Sequence, residues 1–415
     1  MRQVLAIAKR ELRAFFLSPV ALIFLGTFLA VTLFCFFWVD IFFRRNIADV
    51  RPLFNWLPIL LIFLVAALSM RLWSDEQRMG TLEILLTLPI KTHRLVWGKF
   101  LAGIALVAIA LFLTMGLPIT VSQLGDLDWG PVFGGYLAAL LLASAYLAIG
   151  MCVSATTNNA IVALIGTMVA CGFLYLLGTD TIAPLWGNRW AEFFAAIAPG
   201  SRFASIQRGV LDLRDVLYYV SLTVGFLFLN ATLLKAKTWS HGQSTSRNRD
   251  SAKLAAILVL ANLFLINVVL SSVKTVRLDL TERKEYSISP VTKKLLSELD
   301  APLLIRGYFS AKTHPLLAPL VPRIRDMIEE YGAVGGNKVI TKFIDPQQNP
   351  ALEKEANEDF GIKSMPFHFA DRHETAVVNS YFTVLLKFGD KYEKLSFEDL
   401  IEVKVTGIKE IEVKL

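Results

Sequence analysis

Apolar residues fall into long unbroken blocks over the first two-thirds of this chain and into short alternating groups over the last third. The blocks 19–39, 53–70, 101–121, 132–153, 161–177, 216–234 and 254–270 each approach or exceed the length at which a helix crosses a hydrocarbon layer of about 30 Å. They predict seven membrane-crossing helices. The first block is not read as a cleaved signal peptide: it begins late, exceeds a signal core and lacks a small-x-small cleavage site. From residue 273 charged and apolar positions alternate as in a water-soluble domain. There, 303–309 and 338–344 read as strands and 321–331 and 349–360 as helices. Residues 381–387 and 392–397 read as a hairpin turning at Gly389-Asp390. Ser289 and Pro290 read as a helix start, hydroxyl cap followed by proline in the first turn. The βαβ, α, ββ order, with Met365-Pro366 ahead of the last strands, predicts a thioredoxin-like α/β domain. The expected architecture is an all-α membrane region of six spans (1–235), a polar linker (236–253), a seventh anchoring span (254–272) and a soluble α/β domain (273–415).

Composition agrees. Hydrophobic residues are 54% of the chain and charged residues 19%, too apolar for a soluble protein. The net charge of +7 has a topological explanation. Arg2, Lys9, Arg10 and Arg13 precede the first block. Arg71, Arg78, Lys91, Arg94 and Lys99 lie between the second and third, and Lys235, Lys237, Arg247, Arg249 and Lys253 between the sixth and seventh. Residues 122–131 carry two aspartates and no basic residue. The positive-inside rule places the N-terminus and both basic loops in the cytoplasm, and seven spans then place the C-terminal domain outside. Arg44, Arg45 and Arg51 fall on the other side, one loop against three. Orientation accounts for the charge, so nucleic-acid binding is not inferred.

The chemistry concentrates in residues 75–100, DEQRMGTLEILLTLPIKTHRLVWGKF, a charged amphipathic stretch between two apolar blocks. A plain reading is an interfacial helix that only anchors the protein. The ordered residues Glu76, Gly80, Thr81, Leu82, Glu83, Leu85, Leu86, Pro89, Gly98 and Lys99 resemble the loop between the second and third membrane helices of ABC-2 type permeases. The resemblance implies that this loop couples ATP hydrolysis by a separate ATPase to movement of the helices. Residues 198–215, with Phe203, Gly209 and Asp212, and the aromatic residues Trp190 and Phe194 before them, resemble the outer re-entrant helices of gliding-motility type ABC-2 permeases. Pro199-Gly200 is expected to break the stretch 184–215 into two short helices, and an aromatic interface belt is an equally good reading. Residues 276–299, carrying Asp279, Leu280, Thr281, Tyr286, Ser287, Ser289, Pro290 and Thr292, resemble the start of the auxiliary domain that accompanies such permeases. Auxiliary proteins of that type are usually longer, so the chain is expected either to be a fragment or to be completed by another subunit.

Several activities lack the residues they need. A phosphate-binding loop requires G-x4-G-K-[ST]. Gly98-Lys99 is followed by Phe100 with the earlier glycine missing, and GAVGGNK at 332–338 fails the spacing. ATP and magnesium are therefore expected on a partner ATPase. The resemblance implies two ATPase copies on a dimer or pseudo-dimer of permeases in a bacterial inner membrane. Ionisable groups are nearly missing from the blocks, where Asn55, Ser144, Asn230 and Asn262 are neutral, which argues against a proton-driven path and fits bulky or lipid-like cargo better. Cys35, Cys152 and Cys171 all lie in or at the blocks, which excludes dithiol chemistry in the soluble domain. His368, Asp371, His373 and Glu374 follow no recognised zinc spacing and read as a polar loop. Asp279, Glu282 and Asp345 read as caps or turns. The chain is expected to be no enzyme, and its outer domain a docking module for envelope partners. Two functions remain: a permease that exports cargo or drives an envelope process, or a mechanical scaffold that senses ATPase state and moves no cargo.

Overall fold

The computed structural model describes residues 2–40, 42, 49–125, 127–178, 198–238, 251, 254–262, 265–267, 269, 277–281, 288–310, 320–348, 350–370, 375–400, 402–405 and 411–414. The chain divides into two compact units, Met1–Arg283 and Lys284–Leu415.

The first unit is helical. Helix α1 (Arg2–Leu17) is separated only by Ser18 from α2 (Pro19–Phe34), which runs on into a π-helical turn, Cys35–Val39. Then come α3 (Arg51–Arg78), α4 (Thr81–Thr87), α5 (Thr92–Thr114), α6 (Gly116–Leu124), α7 (Trp129–Thr156), α8 (Ala160–Leu176), α9 (Pro199–Gln207) and α10 (Leu213–Lys237). The starts follow from local chemistry. The Asp128, Asn159 and Asp212 side chains each accept an N–H of the first turn of α7, α8 and α10, replacing bonds that a helix N-terminus cannot make internally. Lys235 and Lys237 close α10, where cations suit the helix dipole.

Five helical stretches among the described residues are long and apolar enough to cross a membrane: Ala21–Val39, Arg51–Arg78, Thr92–Leu124, Trp129–Thr156 and Leu213–Lys237. They correspond to five of the expected blocks. The other two blocks form shorter apolar helices, Ala160–Leu176 and Leu254–Asn267. At 17 residues, α8 spans about 25 Å at 1.5 Å per residue.

Helices α3 and α7 form the centre, and small residues on α7 set how closely they approach. A Cβ built at Gly135 would stand 2.5 Å from the Phe54 ring, and one at Gly150 2.3 Å from Ser69 Oγ. Such contacts let backbones meet where lipid gives helices no hydrophobic reason to associate. Polar side chains bridge the same interface. Ser154 Oγ accepts the N–H of Trp73 at 3.1 Å and of Ser74 at 3.2 Å, and donates to Met70 O at 3.1 Å. Asn230 Nδ2 donates to Met151 O at 2.8 Å, tying α10 to α7. The outer face of α8 leaves Ile161, Ile165, Val169 and Phe173 exposed, as a lipid-facing helix requires.

The first unit also contains a strand pair that the pattern did not announce. Strand β1 (Val210–Asp212) runs antiparallel to β2 (Arg277–Asp279). Two short helices divided at Pro199-Gly200 were expected across 184–215. The stretch before residue 198 lies outside the described residues, and the one after the break is α9, with Pro199 in its first turn. Gly209 then takes φ +89°, a conformation that stops a helix and suits glycine.

The second unit is α/β. Helices α11 (Pro290–Ser297) and α12 (Leu320–Gly335) accompany β3 (Leu303–Phe309), parallel to β4 (Val339–Ile344). The hairpin β5 (Met365–Ala370) and β6 (Thr375–Ser380) forms a separate two-stranded sheet. Strand β7 (Phe382–Phe388) is antiparallel both to β3 and to β8 (Lys391–Leu395), giving the order β4-β3-β7-β8. Alternation along β3 divides its side chains. Ile305 and Phe309 pack with Ile324 and Ile328 of α12, while Tyr308 packs with Leu385 and Ala356. The hairpin turns at Gly389, φ +59°, as its dipeptide predicted. Helix α12 runs past the expected end at Tyr331 because glycine lets it lie close on β4: a Cβ at Gly335 would stand 2.1 Å from Val339. The hairpin β5–β6, and another formed by Glu402–Val405 and Ile411–Lys414, were not anticipated. Asp371, His373 and Glu374 lie outside the described residues, and no cluster of three or more acidic, His or Cys side chains fit to hold a metal occurs among those described.

Replacing Gly150 by Val should lower stability by about 1–3 kcal/mol through overpacking. Gly172→Val should be near neutral, because nothing stands within 4 Å of its built Cβ. Thermal unfolding of both variants in detergent checks this, and equal melting temperatures would contradict the packing described.

Candidate functional site

Helix α3 ends where Met79 N donates to Asp75 O (2.9 Å) and Gly80 N to Gln77 O (3.2 Å). Gly80 has φ +70°, a left-handed turn that a Cβ would strain. The chain reverses there into the short α4. The Thr81 hydroxyl, at the start of α4, donates to the Glu76 carboxylate on the last turn of α3. Leu82 is buried, and Leu85 and Leu86 rest half-buried on the main core. The other face of α4 is open: Glu83, Thr87 and Pro89 are exposed, with Ile84 64% and Leu88 42% exposed.

Behind α4 lies a buried ionic junction. Lys99, on the second turn of α5, is 2% exposed. Its Nζ is 3.2 Å from Glu76 Oε1 and 3.3 Å from Glu11 Oε1, and 5.0 Å from the centre of the Trp73 ring. Burying an ammonium is costly unless it is paired, and here two carboxylates and an aromatic face replace its water. Glu11 belongs to α1, so one side chain joins α1, α3 and α5. Gly98 makes this geometry accessible, since its built Cβ would stand 2.6 Å from Ile7 of α1. Arg94 adds a bond to Gln3 at 2.7 Å.

The expected loop residues therefore separate into two groups. Glu76, Thr81, Leu82, Gly98 and Lys99 form or support the internal junction, Leu86 is half-buried, and Gly80, Glu83 and Pro89 face outward. Sequence reasoning missed Glu11 and Trp73. The available signal was Glu11 itself, the one acid among four bases in an amphipathic segment.

The opposite ends of α3, α5 and α7 carry a second assembly. Leu280 N donates to Gly209 O at 2.9 Å, extending the β1–β2 pair. Built Cβ atoms at Gly130 and Gly134 would lie 2.4 Å from Leu280 O and 2.5 Å from Ile206 O, so both α7 positions must be bare for the chain to pass. Asp212 Oδ1 accepts Arg214 N at 2.9 Å, and buried Asp215 pairs with Arg202 at 2.8 Å. Tyr219 donates to Pro199 O at 2.6 Å, and Phe203 is buried. Asp279 accepts both the N–H (3.0 Å) and the hydroxyl (2.6 Å) of Thr281. Sequence reading assigned Phe203, Gly209 and Asp212 to one region and Asp279 and Thr281 to another; the fold brings them together. Trp190, Phe194 and Tyr286 lie outside the described residues. In the second unit, Ser289 Oγ accepts Thr292 N at 3.1 Å and Pro290 opens α11, as expected.

Both assemblies join elements of the fold. Lys99→Met should lower stability by about 2–4 kcal/mol, because it leaves two carboxylates facing each other in partly buried surroundings. Hydrogen exchange should rise across α1. Unchanged exchange at α1 would mean that the junction does not hold it.

A family model described as ABC-2 family transporter protein matches residues 52–278, more than half of the chain. A second, described as a domain of unknown function (DUF7088), matches residues 282–387. No curated protein matches the chain.

Proposed function

We propose, because the chain belongs to the ABC-2 family of transporter proteins, that the open face of α4 is where a separate ABC ATPase engages it and drives its helices. Membership makes the chain the multi-pass membrane subunit of an ABC transporter, a component that normally works with an ABC ATPase and is not itself the catalyst. The observation that carries the proposal is the two-sidedness of α4. One side offers Glu83, Ile84, Leu88 and Pro89 to a partner, and the other is tied through Thr81 and Glu76 to Lys99 and so to α1, α3 and α5.

Two ATPase copies, holding ATP and magnesium, act on a dimer or pseudo-dimer of permeases in a bacterial inner membrane. Seven spans put α1 and α4 in the cytoplasm and the second unit outside, as the basic loops favour. The strand order β4-β3-β7-β8, with one parallel and two antiparallel pairings, supports a thioredoxin-like domain; its auxiliary role of the gliding-motility class rests on the resemblance of residues 276–299. That domain serves docking. The same α4 contact would serve a scaffold that moves no cargo, and stimulation of ATPase turnover by cargo in a lipid bilayer separates the two.

Glu83→Lys should leave the melting temperature within about a degree, since exposed substitutions change stability little. It should weaken ATPase co-purification or coupled turnover by about tenfold or more, as charge reversal at a contact does. Normal coupling in a folded Glu83→Lys protein would remove α4 as the contact.

A further inference from the structure

The internal junction uses only one face of α1. Ile7 and Glu11 turn toward α5, and Leu12 and Phe15 pack on the main core. The remaining surface has its own pattern. Leu5 is 62%, Phe16 42% and Leu17 84% exposed, and Arg2, Lys9 and Arg13 are exposed beside them. At 100° per residue, Leu5 and Phe16 share one stripe, and Arg2, Lys9 and Arg13 lie on the adjoining one. Among the described residues none of these three bases carries an ion pair; Arg10, off this stripe, pairs with Glu11.

We propose that this face of α1 binds the phosphate headgroups of anionic phospholipids, with Leu5 and Phe16 inserted among the acyl chains. Two observations select lipid as the occupant. Ser18 alone separates α1 from the apolar helix that begins at Pro19, so α1 ends where a membrane-crossing segment starts. The exposed surface also combines apolar and cationic stripes side by side, the arrangement that seats a helix in the interfacial plane. A soluble partner's acidic patch would satisfy Arg2, Lys9 and Arg13 but leave Leu5 and Phe16 in water. Near an anionic leaflet each basic side chain favours the bound position roughly fivefold, so three of them make attachment depend strongly on lipid charge and salt. Because Glu11 of the same helix holds Lys99, the lipid face and the α4 junction are two sides of one rigid element. The proposal rests on the multi-pass reading but not on the ATPase contact.

The test uses the full chain in nanodiscs of phosphatidylcholine alone or with phosphatidylglycerol, with hydrogen exchange followed over residues 2–17. Incorporation into either disc checks the multi-pass reading independently. Phosphatidylglycerol should slow exchange across α1 several-fold, and high salt should reverse the effect. The variant carrying Arg2→Gln, Lys9→Gln and Arg13→Gln should show no difference between the two lipids while keeping the α1–α5 junction. Equal exchange in neutral and anionic discs, or lipid-dependent slowing retained by the variant, would overturn the proposal. Protection that appears only when an ATPase is added would assign the face to a protein instead.

Discussion

A single buried ammonium organises one end of this membrane protein. Lys99 sits almost out of solvent between Glu76 and Glu11 with the Trp73 ring below it. A charge in that position is tolerated only while its partners stay in place, so the helices that supply them cannot move independently without a cost of several kcal/mol. Helix α4 is attached to this junction through the Thr81 hydroxyl and through the turn at Gly80. A force applied to its open face would reach two long helices and the N-terminal helix through these hydrogen bonds and ion pairs as well as through the packing of Leu82.

The opposite end relies on shape more than charge. Gly130 and Gly134 leave room for the carbonyls of Leu280 and Ile206, and Gly209 supplies the turn that lets Val210–Asp212 pair with Arg277–Asp279. Buried Arg202 and Asp215 then fix α9 against α10. The segment just before the second unit thus packs as part of the membrane unit. Between the two ends, Ser154 and Asn230 bridge α7 to α3 and α10. The polar groups there serve helix–helix adhesion, which agrees with the scarcity of ionisable residues in the apolar blocks.

Much of this was legible in the sequence, for identifiable reasons. Five membrane-length helices follow from apolar runs, because burial of backbone in lipid leaves helix as the available conformation. Strand β3 and the turn at Gly389 follow from alternation and from a dipeptide with one dominant geometry. The loop residues Glu76 to Lys99 were found through their ordered resemblance to a family. What sequence could not give was which of them face inward. Lys99 read as a loop cation because its partner Glu11 lies 88 positions away and nothing local links the two. The pairing of β1 with β2 was hidden likewise: three-residue strands 65 positions apart carry no periodic signal, and the glycines that admit them sit on a third element, α7.

Contact between α4 and a nucleotide-hydrolysing partner is tested by cross-linking mass spectrometry on the native complex, taken from membranes in mild detergent with an amine-reactive reagent. Lys91, exposed beside Pro89 at the end of the α4 loop, is the reporter. Cross-links from Lys91 to a stoichiometric P-loop ATPase are the expected result. Recovery of such an ATPase with its cross-links confined to other surfaces, and none to Lys91, would contradict it.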